Sequence, residues 1–213
     1  MNIVIVGANP KGQAKVVLEI VEAEKKYHVV GFLDDDPAKK GVKIRDKEVL
    51  GGMIDLPELM VKYNIEGGIA AFAHNQFRRE VGQKIKSLGL KLINTIHPTA
   101  HIDSDVRMGE GVVVSPGAVI VTGSVIGNAV NILTGATIDH DNEIEDGVVI
   151  SPGVHTSGRV IIRRDVFVGT GAIFLPDAEV GEGAYIGAGS VVLKKVPAGE
   201  IWAGVPAKLL KVT

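Results

Sequence analysis

A single imidazole stands between two carboxylates in Ile138-Asp139-His140-Asp141, and eighteen residues later comes Gly158, in Thr156-Ser157-Gly158. A carboxylate beside an imidazole can fix its tautomer and raise its basicity, which makes the histidine a general base. A glycine amide with no side chain beside it can donate to an oxyanion as charge develops there. Base, orienting carboxylate and amide donor are the parts of an acyl transfer, provided the fold brings residues eighteen apart together. Read alone, a histidine between two aspartates is more often an ordinary solvated corner. The elements that carry it have to decide.

Those elements are marked by an unusual period. From Ile102 to Val192 a bulky residue returns at every sixth position, and only Thr156 and Phe174 in that column are not Ile, Val or Met. Two residues before each of them sits a small or β-branched residue, among them Val112, Ala118, Ser124 and Val130, with Asn142 the exception. Neither a helix nor an alternating strand produces a beat of six; a parallel β-helix does, one short strand and one corner per hexapeptide. Residues two apart on a strand face the same way, so both columns point into a narrow lumen. With three hexapeptides to a coil, residues eighteen apart stack at about 4.8 Å. His140 then falls on a corner, two positions past inward-facing Ile138, and Gly158 occupies the same corner one coil on. His155 takes an outward slot as a structural or substrate-fringing residue, and His74, His97 and His101 lie outside the regular coil or at its first turn. No outward pair of histidines is eighteen apart, so no metal site is expected.

The first hundred residues follow a different rule. Residues 2–6 read as a buried strand, followed by the turn Gly7-Ala-Asn-Pro-Lys-Gly12 and an amphipathic helix with Val16, Val17, Ile20 and Val21 on its apolar side. Further strands are expected at 28–33, 66–72 and 91–96, with a helix over 76–88. Strands alternating with helices imply a small parallel, Rossmann-like α/β sheet. A strand, Gly turn and helix make a ready anion site, because backbone amides and the helix dipole converge there. Asp35 and Asp36, in Asp34-Asp35-Asp36-Pro37, could hold a ribose or base, and are equally a solvated turn. The expected organisation is residues 1–97 as a nucleotide-binding α/β domain and 98–213 as the β-helix with a C-terminal cap.

Composition narrows the classes. The chain has 213 residues, 23 basic and 25 acidic, for a net charge of −2, with no basic stripe to attract nucleic acid or a membrane surface. Without cysteine there is no disulfide, thiolate metal site or cysteine nucleophile. The uncharged stretch 111–138 is long enough to span a bilayer, but Pro116 and its repeated glycines lie on the six-residue beat. The start lacks the basic region of a signal peptide, so a cytoplasmic protein is expected.

Taken in order, Ile-Val-Gly-Ala, Gly31-Phe-Leu-Asp-Asp-Asp36, Ile96-His-Pro-Thr-Ala100, Ile138-Asp-His-Asp141 and Gly204-Val-Pro-Ala-Lys208 resemble one family over essentially the whole chain. It is the nucleotide-sugar acetyltransferases of bacillosamine and sialic-acid biosynthesis (PglD/NeuD type). The resemblance implies a left-handed β-helix, acetyl-CoA as co-substrate, a nucleotide-sugar acceptor and a homotrimer. It implies His140 as base with Asp141 orienting it, the Gly158 amide as carbonyl donor, and Thr170 and Ala188 as backbone contacts of coenzyme A in a groove between adjacent helices. The nucleotide would sit at Gly7, Lys11, Gly12 and Gln13, with Asp35 and Asp36, and Gly204–Lys208 would close the coenzyme end. Three positions depart from the family pattern: Gln13 stands where a histidine is usual, Leu133 where an asparagine is, and Val149 where a second histidine is. Those departures keep open a non-catalytic nucleotide-sugar-binding or scaffold protein, and attack by a hydroxyl would use the same parts, which keeps open an O-acetyltransferase with another acceptor.

Overall fold

The computed structural model describes residues 1–212. The chain divides into a unit spanning Met1–Ile96 and a second beginning at His97.

The first unit is built on β1 (Asn2–Val6), fully apolar after Asn2 and buried from Ile3 onward. Its neighbours are β2 (His28–Leu33) and β5 (Ile65–Ala70), both parallel to it. The sheet continues outward from β2 to β4 (Lys47–Gly51) and β3 (Lys43–Ile44), and from β5 to β6 (Lys91–Leu92). Three helices accompany it: α1 (Gln13–Glu24), α2 (Leu56–Tyr63) and α3 (Asn75–Ser87). On α1 the buried residues are Ala14, Val17, Leu18, Ile20 and Val21. Val16 was expected on that face but is 39% exposed; the helical turn puts Ala14, Val17, Leu18 and Val21 in the stripe and rotates Val16 out of it. Chain order reverses at β1, because β1 passes through α1 to β2 on one side while β5 pairs on the other. Crevices that bind ligands in parallel α/β sheets form at such a point.

The second unit is a stack of two-residue strands, too short to be stable alone, each paired in parallel with the strand eighteen residues away. One face runs His101–Ile102, Val119–Ile120, Thr137–Ile138, His155–Thr156, Ile173–Phe174, Val191–Val192. A second runs from Arg107–Met108 to Glu179–Val180, and a third includes Val113–Val114, Asn131–Ile132, Val149–Ile150, Phe167–Val168 and Tyr185–Ile186. The bulky column is sealed from Val114 to Val192, with Ile102 and Met108 half-buried at the first coil. The column two residues earlier is buried with it from Val112 to Ser190. The uncharged stretch 111–138 belongs to these coils. No helix among the described residues is long and apolar enough to cross a membrane. At the far end Glu200–Ala203 adds a strand beside Tyr185–Ile186, and the chain returns through a cis Val205–Pro206 bond as antiparallel Lys208–Val212.

Candidate active site

Thr137–Ile138 and His155–Thr156 are paired strand to strand, and the corners that follow them are stitched together as well. Asp141 donates its amide to Thr122 O at 3.0 Å, Arg159 to His140 O at 3.0 Å, and Asp177 to Gly158 O at 3.2 Å. Asp141 turns the chain with a positive φ of 55°, and its side chain folds back so that Oδ2 lies 2.8 Å from His140 Nδ1. A carboxylate there accepts the Nδ1 proton and leaves the Nε2 lone pair available. The imidazole is partly exposed, with 42% of its side-chain surface accessible.

The ring lies directly over Gly158. A Cβ built on that glycine would fall 2.3 Å from His140 Nε2 and 2.5 Å from Cε1. The space a side chain would take is therefore the space the imidazole uses. The Gly158 amide donates to no acceptor among the described residues, which leaves it able to serve an oxyanion. On the preceding coil Gly123 plays the same part for the carboxylate, since a Cβ there would meet Asp141 Oδ1 at 2.3 Å.

Beneath this corner the lumen is polar. Ser124 Oγ donates to Asp139 O at 2.9 Å and accepts from the Asn142 amide at 3.2 Å. Asn142 is 1% exposed, and its Nδ2 lies 2.7 Å from Asp139 O, 3.2 Å from His140 O and 3.0 Å from Ser157 O. In the sequence Asn142 is a break in the column with no evident task. The break itself was the signal.

The other expected residues fall elsewhere. Thr170 and Ala188 are both exposed and stacked eighteen apart, tied by Gly189 N to Thr170 O at 2.8 Å, but on the corner that follows the third face. One chain thus brings His140, Asp141 and Gly158 together and holds Thr170 and Ala188 on a different corner. Leu133 belongs to the same corner as Thr170 and Ala188, because it follows Asn131–Ile132 instead of Thr137–Ile138. Val149 is buried on the strand leading into the same corner. His155 is exposed, its Nδ1 2.8 Å from Thr137 Oγ1. The Gly204–Lys208 segment helps to enclose a cavity of about 190 Å³ with Val192, Leu193, Lys194 and Trp202.

In the first unit, Gly7 ends β1 with φ +106°, and a Cβ there would meet Ala71 O and the Phe72 ring at 3.0 Å. Gly12 precedes α1, whose first turn has no side-chain cap and no acidic residue, so its amides remain suited to an anion. Lys11 is exposed beside it and Gln13 opens the helix. Asp35 and Asp36 turn out to have local partners: Asp35 Oδ1 accepts from Met53 N at 2.6 Å, and Asp36 caps the turn at Pro37–Lys39. The acidic residue tied to the glycine turn is Asp34, which accepts from Ala8 N at 2.9 Å and Lys39 Nζ at 2.8 Å. Burial pushes its carboxyl up, but the Lys39 ammonium and the Ala8 and Asp36 amides more than offset that and hold it below the ordinary range. Arg78, fully buried on α3, was missed in sequence; its Nη1 donates to Phe72 O at 3.1 Å and so supports the loop that closes on Gly7. Its spacing with Val81 and Ile85 was the available signal.

Residues 2–85 match the PglD N-terminal domain, and residues 159–194 match the bacterial transferase hexapeptide family. No curated protein sequence matches the chain. Among solved structures, PerB from Caulobacter crescentus in complex with CoA and GDP-perosamine is 33% identical, with a TM-score of 0.92 over 99% of this chain and 98% of that one. A histidine-to-asparagine variant of perosamine N-acetyltransferase from the same organism, also with CoA and GDP-perosamine, is 32% identical over 99% and 97% with the same TM-score. The acetyltransferase domain of PglB from Neisseria gonorrhoeae FA1090, in complex with acetyl coenzyme A, is 33% identical over 98% of each chain, with a TM-score of 0.89.

Proposed function

The chain belongs to the PglD-type nucleotide-sugar acetyltransferases, and from that premise we propose that it moves an acetyl group from acetyl-CoA to the amino group of a nucleotide-linked amino sugar. His140 is the general base. The observation that carries this role is the 2.8 Å contact of Nδ1 with Asp141 together with the stacking of Nε2 over Gly158. The amine attacks the thioester carbonyl carbon, His140 Nε2 takes the amine proton, and the Gly158 amide holds the carbonyl oxygen as it becomes negative. The C–S bond then breaks, and the thiolate of coenzyme A leaves with a proton from the imidazolium. Asp141 stabilises that imidazolium while it lasts.

The coenzyme would pass along Thr170 and Ala188, and the nucleotide would rest at Gly7, Lys11, Gly12 and Gln13. His140 and Thr170 occupy different corners of one helix, which supports a coenzyme site lying between two copies. A homotrimer supplies three such grooves by a closed rotation, so the expected species in sedimentation is three times the 22.4 kDa chain. The departures Leu133, on the coenzyme-side corner, and Val149, on a strand leading into it, leave the His140 corner intact, which favours catalysis over a purely binding role. Use of acetyl-CoA is in keeping with a cytoplasmic enzyme.

The test is thiol release from acetyl-CoA with GDP-perosamine, the ligand of the Caulobacter enzyme, as first acceptor. Replacing His140 by Ala is expected to lower kcat by about 10²–10⁴-fold with CoA binding and oligomeric state preserved. Normal turnover in a folded His140→Ala protein would end the proposal.

A further inference from the structure

We infer that Asn142 is a positioning residue for acetyl transfer, a buried amide that locks the base corner to the oxyanion corner. The inference rests on the assignment of His140 and Gly158 made above.

The lumen column containing Asn142 is otherwise Val, Ala or Ser, and its members from Val148 to Val166 are all fully buried Val. An asparagine there needs a reason, because a polar group in such a lumen is destabilising unless its hydrogen bonds are made. Its Nδ2 carries two hydrogens and reaches three carbonyls, so one bond is shared. Asp139 and His140 belong to one coil and Ser157 to the next. The amide therefore crosses between the two backbones that must agree for the imidazole to sit over Gly158. Ser124 Oγ adds a second donor to Asp139 O from the coil before. The other end of the amide, Oδ1, is buried and meets no donor among the described residues. Asn142 thus ties down the corner while leaving an acceptor unpaired, a combination that serves geometry better than it serves stability.

Two variants of nearly equal shape separate the roles. Asn142→Val restores the prevailing lumen residue and removes the bonds; Asn142→Thr has the same volume and keeps one hydroxyl donor. Misplacing a reacting group by about 1 Å can cost about 10²-fold in rate, so Asn142→Val is expected to lower kcat about 10- to 100-fold. Its KM for acetyl-CoA and its Tm should stay close to the parent's, since the coenzyme contacts lie on another corner. Asn142→Thr should recover part of the lost kcat. A Val variant as fast as the parent overturns the inference. So does a Val variant whose kcat loss is matched by a fall in Tm and left unrescued by Thr, because that pattern is packing. His140→Ala, assayed in parallel, keeps the two claims apart: full activity there refutes the base assignment, whereas an inactive His140→Ala beside a fast Asn142→Val refutes only the role of Asn142.

Discussion

Gly158→Ala is the sharpest steric test of the site, because it adds one carbon where the imidazole lies. The backbone of Gly158 does not require positive φ, so alanine brings no conformational strain of its own. Its Cβ would stand 2.3 Å from His140 Nε2, against the 3.4 Å at which ordinary contact begins. The ring must retreat by about 1 Å, a displacement worth about 10²-fold in rate when it moves a catalytic group. That corresponds to ~2.7 kcal/mol of transition-state stabilisation. Rotation about χ1 offers no easy escape, since turning about 30° off a rotamer costs ~1 kcal/mol and carries Nδ1 away from Asp141. Initial rates of thiol release at saturating acetyl-CoA read the effect as kcat. Gly183→Ala is the matched control: it sits on a different corner, a Cβ there would touch nothing within 4 Å, and its φ of +67° makes the cost purely conformational. It is expected to lose about 1–2 kcal/mol of stability and no rate. A folded Gly158→Ala enzyme with parental kcat would refute the placement of the ring. Equal rate losses in both variants would refute it too.

Two further outcomes follow from the charges. The column Asp141, Arg159, Asp177 stacks at intervals of eighteen, and Arg159 is held by Asp177, Nε to Oδ1 at 2.7 Å and Nη2 to Oδ2 at 3.0 Å. Asp177→Ala frees that guanidinium to compete for Asp141, so kcat should fall about 2- to 5-fold, the scale of an exposed ion pair, and the double variant with Arg159→Ala should regain it; a double variant as slow as the single one counts against the competition. Asp34 has a native pKa below its unfolded value of about 3.9, so its stabilisation is complete above that pH and lost as pH falls through the native pKa. Asp34→Asn should lower stability at neutral pH, flatten the acid limb of unfolding below about pH 4, and weaken nucleotide-sugar binding; identical acid limbs in the two proteins would contradict this.

The β-helix was legible because its lumen admits only certain residues at fixed intervals, and every coil repeats the demand. The pairing of His140 with Gly158 followed from the same interval. What the interval could not reveal was direction within a corner: only the folded chain shows Asp141 turning back on Nδ1 and Asn142 reaching across to Ser157. The first unit was less readable. The hairpin of β3 and β4 and the helix α2 went unseen, since Lys43–Ile44 and Lys47–Gly51 are short edge strands with little alternation and α2 spans only Leu56–Tyr63. Three consecutive aspartates look alike in sequence, and Asp34 is distinguished from Asp35 and Asp36 only by which way its side chain leaves the strand end. Arg78 was hidden by the ordinary assumption that an arginine on a helix faces water.

The eighteen-residue coil also governs how this protein can vary in length. An insertion of six residues between His140 and Gly158 would carry the glycine a third of a turn around the helix, to the next corner. Even a whole added coil would slide another residue's amide beneath the imidazole and push Gly158 out of reach. Beyond Ala188, an added coil would leave the stacking of His140 over Gly158 untouched. Length within the coils is quantised: between His140 and Gly158 neither a hexapeptide nor a whole coil can be added to the wall without unstacking the two.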